Sequence, residues 1–194
     1  HTCDILDFDY KQYPQGYFDI IWASPDCRFY SRLQNTWIGR KKKDGIMTTR
    51  ETIEENRKHS DTLIYKVWEI IDYLNPQFWF LENPLSSLKD REVMKDKPYY
   101  IVDYCMYSDW GYKKRTCIWT NKKDWEALVC DNKGSCGNMI NIHNHKIHKT
   151  NLGNADNHLR CKHKTDVSKD VGGGTNRLER YRVPLDLIYS LFLD

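Results

Sequence analysis

The sequence predicts an α/β fold built on a doubly wound, mostly parallel sheet. Two observations carry this expectation. Short β-branched and aromatic runs alternate with one long amphipathic stretch, in strand–helix–strand order, which calls for βαβ units. Each apolar run is then cut off by a turn-forming segment, Ser24-Pro25-Asp26-Cys27 after the first and Glu82-Asn83-Pro84 after the next. Composition agrees: 194 residues, 40% hydrophobic and 29% charged, with 10 Gly and 6 Pro, suit one full core and exclude collagen-like and low-complexity classes. No apolar run reaches the roughly 18 residues of a membrane helix. Seven scattered cysteines, an odd number, fit a reducing compartment better than a disulfide framework. With no charged-then-apolar leader read at its start, a soluble intracellular protein is expected. A net charge of +3 permits a nucleic-acid partner without demanding one.

The elements follow in order. Tyr17 to Ala23 reads as a buried strand after Gly16. Residues 28–47, with Arg40, Lys41, Lys42 and Lys43 at their centre, read as a mobile basic loop. A helix should start near Thr48, where Thr48 and Glu51 have capping-box spacing. Its later part puts Leu63, Ile64, Val67, Trp68, Ile71 and Leu74 on one face, and Asn75-Pro76 stops it. Phe78 to Leu81 is the next strand, a short helix covers 85–95, and strands near 99–106 and 115–120 flank a Trp110-Gly111 turn. Residues 121–180 are rich in Asn, Lys, Gly and His and carry no periodicity. Pro184 opens a closing helix through Leu193.

Ligands of open parallel sheets sit at the carboxyl ends of strands. Cys27 and Glu82 fall there, a thiol and a carboxylate suited to covalent chemistry with acid assistance. The plain alternative is a buried small cysteine and a helix-capping glutamate.

At these residues the sequence resembles the cytosine-C5 DNA methyltransferases. Ser24-Pro25-Asp26-Cys27-Arg28-Phe29-Tyr30-Ser31 looks like that family's Pro-Cys-Gln-x-Phe-Ser nucleophile motif, and Glu82-Asn83-Pro84 like its Glu-Asn-Val/Pro motif. Lys113-Lys114-Arg115 resembles its Gln-x-Arg-x-Arg segment, Asp4-Ile5 its short acidic cofactor motif, and Tyr181-Arg182-Val183-Pro184 its closing motif. Their order follows the family across most of residues 2–193, in a compact form that looks most like proteins of phages and large viruses, which implies host cytoplasm or nucleus.

The resemblance implies a fold of the S-adenosylmethionine-dependent methyltransferase type. It divides the chain into a catalytic core at 1–120, a small target-recognition region at 121–180 and a returning helix at 181–194. It implies S-adenosylmethionine as cofactor, held by Asp4, Ile5, Ser24 and Pro25. Double-stranded DNA with a flipped cytosine is the implied partner. Cys27 would attack C6, Glu82 would bond N3 and the exocyclic amine, and Arg115 would steady Glu82 and the base. Asn83, Pro84, Lys113, Ser31, Arg40, Lys41 and Lys42 would contact the substrate. An RNA cytosine is a second possible substrate, and a catalytically silent nucleic-acid-binding protein the alternative of another class.

The sequence departs from the family in three places. No Phe-x-Gly-x-Gly segment precedes Asp4, so either the chain lacks about one βα unit or the missing piece comes from elsewhere, and weak cofactor binding by this chain alone is expected. Asp26 stands where the family has Pro, and Arg28 where it has Gln. Residues 121–180 also hold Cys130, Cys136, His143, His145, His148, His158, Cys161 and His163, residue types that ligate zinc. Cys130, Cys136, Cys161 and His163 are the candidate set, although the spacing is not that of a Cys-x2-Cys finger. Scattered Cys and His that bind nothing are the plain alternative.

Overall fold

A computed structural model of the chain describes residues 2–41, 45–142, 145–150 and 181–193. Two compact units emerge, His1–Tyr100 with Cys117–Lys123, and Ile101–Thr116 with Asp124–Asp194.

In the first unit, β1 (Ile20–Ala23) and β2 (Phe78–Pro84) pair in parallel, from Ile20 opposite Phe78 to Ala23 opposite Leu81. Parallel strands need a long crossover, and α1 (Arg50–Leu74) supplies it. Ile64, Val67, Trp68, Ile71 and Leu74 of the predicted stripe are buried, whereas Leu63 is only partly so. Trp68 donates its indole N–H to the Val93 carbonyl at 3.1 Å. The capping box exists one residue later than predicted, between Thr49 and Thr52. Thr48 is diverted: its amide donates to the Arg40 carbonyl and its own carbonyl accepts from Gly39, both at 2.9 Å. Asn75 ends the helix in the left-handed region (φ 46°), which Asn tolerates better than most residues.

Three further boundaries move. β1 starts at Ile20 rather than Tyr17, because Tyr17 and Phe18 instead form an aromatic cluster with Tyr13, and Gly16 bonds the end of α1 through the Leu74 carbonyl at 2.7 Å. The helix expected at 85–95 is two 3-10 turns, Ser87–Asp90 and Glu92–Met94, separated by Arg91 in extended backbone. The described part of residues 28–47 is more built than the mobile loop expected. It contains a 3-10 turn at Arg32–Trp37, and a Lys41–Met47 bridge extends the Gly39–Thr48 stem.

The sheet has the order β1-β2-β4-β3, with β3 at Tyr99–Asp103 and β4 at Arg115–Thr120. It is mixed rather than uniformly parallel. Thr120 donates to the Pro98 carbonyl and Tyr104 to the Lys114 carbonyl, so β4 runs against β3. The Asn121 side chain bonds both Gln77 and Trp79, placing the end of β4 beside the start of β2.

The second unit buries Val102, Tyr104, Tyr107, Tyr112, Trp125, Leu187 and Leu191. Residues 121–180 are not wholly irregular: β5 (Met139–Ile142) and β6 (His145–His148) form an antiparallel hairpin. Gly111 (φ 81°) must be glycine, since a Cβ would lie 2.8 Å from the Thr150 hydroxyl. The closing helix α2 is Leu185–Phe192, with Pro184 at its cap rather than in its first turn. Among the described residues no helix is long and apolar enough to cross a membrane.

Candidate active site

β1 and β2 pair as far as Ala23 and Leu81, so residues 24–27 follow β1 at the sheet end where β2 carries Glu82, Asn83 and Pro84. One hydrogen bond ties them: the Asn83 amide donates to the Pro25 carbonyl at 3.0 Å. Glu82 lies within β2 itself, not beyond it as the sequence suggested, and is buried with Asn83. The Asn83 side-chain carbonyl is also buried, with no hydrogen-bond partner among the described residues. Native structures rarely strand an acceptor this way.

The Cys27 loop is held from behind. The Cys27 carbonyl accepts the amides of Tyr30 and Ser31, both at 3.2 Å. Tyr30 is fully buried, donates its hydroxyl to Asp61 at 2.9 Å, and accepts at its carbonyl from the Ser87 amide and hydroxyl. Burial and the Asp61 hydrogen bond push the Tyr30 phenol far up. Arg91 completes the brace, its guanidinium on Asp61 and, at 2.6 Å, on Glu54. Asp61–Arg91 thus locks a half-buried Cys27 turn to α1 and to the segment after β2.

Asp26 does not face Cys27 alone. Its carboxylate accepts the Arg28 amide at 2.8 Å and pairs with the Arg28 guanidinium at 3.1 Å. The two departures from the motif therefore neutralise each other. A second thiol of this unit, Cys117 on β4, is wholly buried. Burial, and to a lesser degree the charges of Asp90 and Glu82 against that of Lys89, push it up to about 11. Such a thiol is not a nucleophile at neutral pH.

The remaining predicted residues are placed as follows. Asp4 is exposed, one carboxylate oxygen accepting the Leu6 amide at 2.9 Å, while Ile5 packs against the Tyr10–Ile70–Leu74 cluster. The Ser24 hydroxyl accepts from the Trp22 indole at 2.8 Å. Pro84 ends β2 and Ser31 caps the 3-10 turn after the Cys27 loop. Arg40 stacks on Trp37, Lys41 is exposed, and Lys42 lies outside the described residues.

Arg115 and Lys113 belong to the second unit, where both meet Asp103. Arg115 grips that carboxylate with two hydrogen bonds of 3.0 and 2.8 Å, and the Lys113 ammonium stands 3.3 Å away. Burial alone would raise Asp103, but Arg115, the Cys130 amide and Lys113 hold it below the ordinary carboxylate range. Cys130 and Cys136 do come together, but with Cys105 and His148. Cys161 and His163 lie outside the described residues. Burial and its thiol neighbours push Cys105 up. Asp103 and Cys105 were not singled out by the sequence, and His148 was named among the histidines of residues 121–180 but left out of the four-residue zinc set. Cys105 was hidden inside a predicted strand, and choosing His148 over the other histidines requires recognising the Met139–His148 hairpin.

No protein-family model matches the chain. It is 37% identical over 196 residues to the probable DNA (cytosine-5)-methyltransferase of Frog virus 3 (isolate Goorha), an alignment taking in 98% of this chain and 82% of that protein.

Proposed function

Because this chain belongs to the DNA (cytosine-5)-methyltransferase family, we propose that it methylates C5 of a flipped cytosine in DNA through a covalent Cys27–C6 adduct, with S-adenosylmethionine as donor. The observation carrying this reading is the Asn83–Pro25 hydrogen bond, which joins the Cys27 loop to the Glu82 strand at one sheet end. Unaided, cytosine C5 is too weak a nucleophile to take a methyl group. A Cys27 thiolate adding to C6 pushes the ring electrons toward C5 and makes it enamine-like. Glu82, buried beside the loop, hydrogen-bonds N3 and the exocyclic amine and stabilises the charge that builds as sulfur adds. After C5 has gained its methyl group, loss of the C5 proton drives the electrons back and expels Cys27 as thiolate. The base must leave the stack for sulfur to reach C6.

The residues fit the donor's nucleoside end. Asp4 offers an exposed carboxylate as acceptor for hydroxyl or amino groups, and Ser24-Pro25 presents a turn at the strand end. Asp4, Ile5, Ser24 and Pro25 would hold S-adenosylmethionine, which supplies an electrophilic methyl group when bound.

DNA carrying 5-fluorocytosine tests the mechanism, since fluorine blocks the final elimination. With S-adenosylmethionine present the protein should be trapped as a denaturant-stable adduct. Cys27→Ser should abolish the adduct and Cys117→Ser should keep it. Equal trapping by the Cys27 variant would end the assignment.

A further inference from the structure

The second unit gathers three thiols and one imidazole that methyl transfer does not use. Cys105 lies in the 3-10 turn after β3, Cys130 and Cys136 bracket a short loop, and His148 ends β6. One ligand atom from each falls within 4.8 Å of all the others. His148 Nε2 stands 3.7 Å from the sulfurs of both Cys130 and Cys136. Around tetrahedral zinc, with Zn–S about 2.3 Å and Zn–N about 2.0 Å, sulfur and nitrogen stand about 3.5 Å apart and two sulfurs about 3.8 Å. The two nitrogen–sulfur distances are close to that spacing, and all four atoms lie near enough together to converge on one ion. No disulfide uses these sulfurs, since all three cysteines are free thiols.

The backbone around them is built to hold that spacing. The buried Asn138 side chain donates to the carbonyls of Cys105 (2.8 Å), Ser108 (2.7 Å) and Cys136 (3.1 Å), so one residue fixes two of the ligand segments. Its carbonyl oxygen accepts the Gly111 amide at 3.1 Å. The Cys130 sulfur accepts the Asn132 amide at 3.4 Å. Asn132 and Gly134 take positive φ, and Asp131 caps the amide of Lys133 and the hydroxyl of Ser135, closing the loop between the two cysteines. The Lys113 ammonium reaches the Cys130 carbonyl at 3.4 Å and the Asn132 side chain at 2.9 Å. It puts a positive charge beside a donor set that carries one negative charge in excess of a divalent ion.

We propose that Cys105, Cys130, Cys136 and His148 bind one zinc ion as a closed structural site. Three thiolates and an imidazole select zinc over the hard cations magnesium and calcium. Four protein ligands leave no open position for a catalytic water. On binding, the three thiols release their protons to solvent, and four new metal–ligand bonds join the end of β3, the 130–136 loop and the β5–β6 hairpin. For a unit made of short strands and loops, such a bond set replaces core that the sequence lacks.

Zinc itself is the probe. Protein purified under reducing conditions should hold about one zinc per chain by elemental analysis, and cobalt exchange should give the intense thiolate-to-metal absorption of a tetrahedral site. Cys136→Ser and His148→Ala should weaken zinc binding at least tenfold, while Cys3→Ser, Cys161→Ser and His163→Ala leave it unchanged. Should the ligand variants fail to fold, chelation of the unaltered protein decides: melting temperature should fall when zinc is withdrawn and recover when it is returned. Reduced, folded protein that takes up no zinc from excess would overturn the proposal. So would zinc absent from the Cys161 and His163 variants but kept by those of Cys136 and His148.

Discussion

Cys27 and the thiols of the second unit occupy opposite surroundings. Cys27 lies half-buried on a loop at a strand end, its backbone locked by Tyr30 and Ser31. Cys105 and Cys130 are almost wholly buried and lie with Cys136 around one imidazole. Both loops lean on an acid–arginine pair, the partly buried Asp61–Arg91 behind Cys27 and, beside Cys130, the buried Asp103 gripped by a part-exposed Arg115. The same device thus supports one thiol presented outward and three turned toward each other. Chemistry depends on which way the thiol is presented, and cysteine count alone does not report it.

The largest effect should come from Glu82, the polar partner of the presented thiol. Glu82→Gln keeps the volume of a buried side chain but removes its charge. Methyl transfer should fall by about 10²–10⁴-fold, the usual span for a positioned acid or base, with the melting temperature little changed. A fall below tenfold would separate Glu82 from the chemistry and leave Cys27 without its partner.

Asp103→Asn should reverse that pattern, costing stability before rate. Breaking a buried ion pair costs about 3–5 kcal/mol, and the partial exposure of Arg115 reduces this to about 2–3 kcal/mol. The acid limb gives a second reading. Because Arg115, Lys113 and the Cys130 amide hold Asp103 low against its burial, its stabilisation is complete above the unfolded carboxylate value of about 3.9. It disappears as pH falls through the lower folded value. The unaltered protein should therefore lose this stability below about pH 4, and Asp103→Asn should show a flatter acid limb in denaturant titrations across that range. Identical limbs would mean that Asp103 contributes nothing through its charge.

Much of the first unit was legible in the sequence, since local patterns specify it. The stripe from Ile64 to Leu74, the Asn75-Pro76 stop and the run from Phe78 each depend on neighbours a few residues away. The Thr49 cap was missed by one position because Thr48 is claimed by the Gly39–Thr48 stem, a pairing no local pattern encodes. Likewise Arg91 breaks the 85–95 helix while reaching acids on α1. The second unit was far less legible. Its four clustered ligand atoms come from a turn, a loop and a hairpin, so their order in the chain shows no finger spacing. Asp103 reads as an ordinary strand residue until Lys113 and Arg115 fold onto it.

A smaller effect tests the brace behind Cys27. Tyr30→Phe removes one hydroxyl, but Asp61 keeps its Arg91 partner, so no buried charge is stranded. The stability loss should be about 1 kcal/mol, the net worth of one such hydrogen bond. Methyl transfer should change less than for Glu82→Gln, because the Ser87 bonds to the Tyr30 backbone remain. A loss above about 3 kcal/mol in chemical denaturation would show that the hydroxyl, not the Arg91 pair, carries the brace.

The smallest effect separates the loop beyond Cys27 from both thiol regions. Arg40 and Lys41 are exposed on a stem closed by the Gly39–Thr48 and Lys41–Met47 pairings, so neither holds the fold together. If they meet phosphate, replacing both by Ala leaves two phosphates without a cation and their counterions in place. The logarithmic salt slope of DNA binding should then shrink by about 0.9 for each such phosphate, alike for every DNA sequence, because the phosphate backbone carries no base information. Melting temperature and zinc content should stay as in the unaltered protein. Fluorescence anisotropy with one labelled duplex over a salt series measures the slope directly. An unchanged slope would mean that both side chains face solvent in the complex, and DNA would then have to be held by cations elsewhere in the chain.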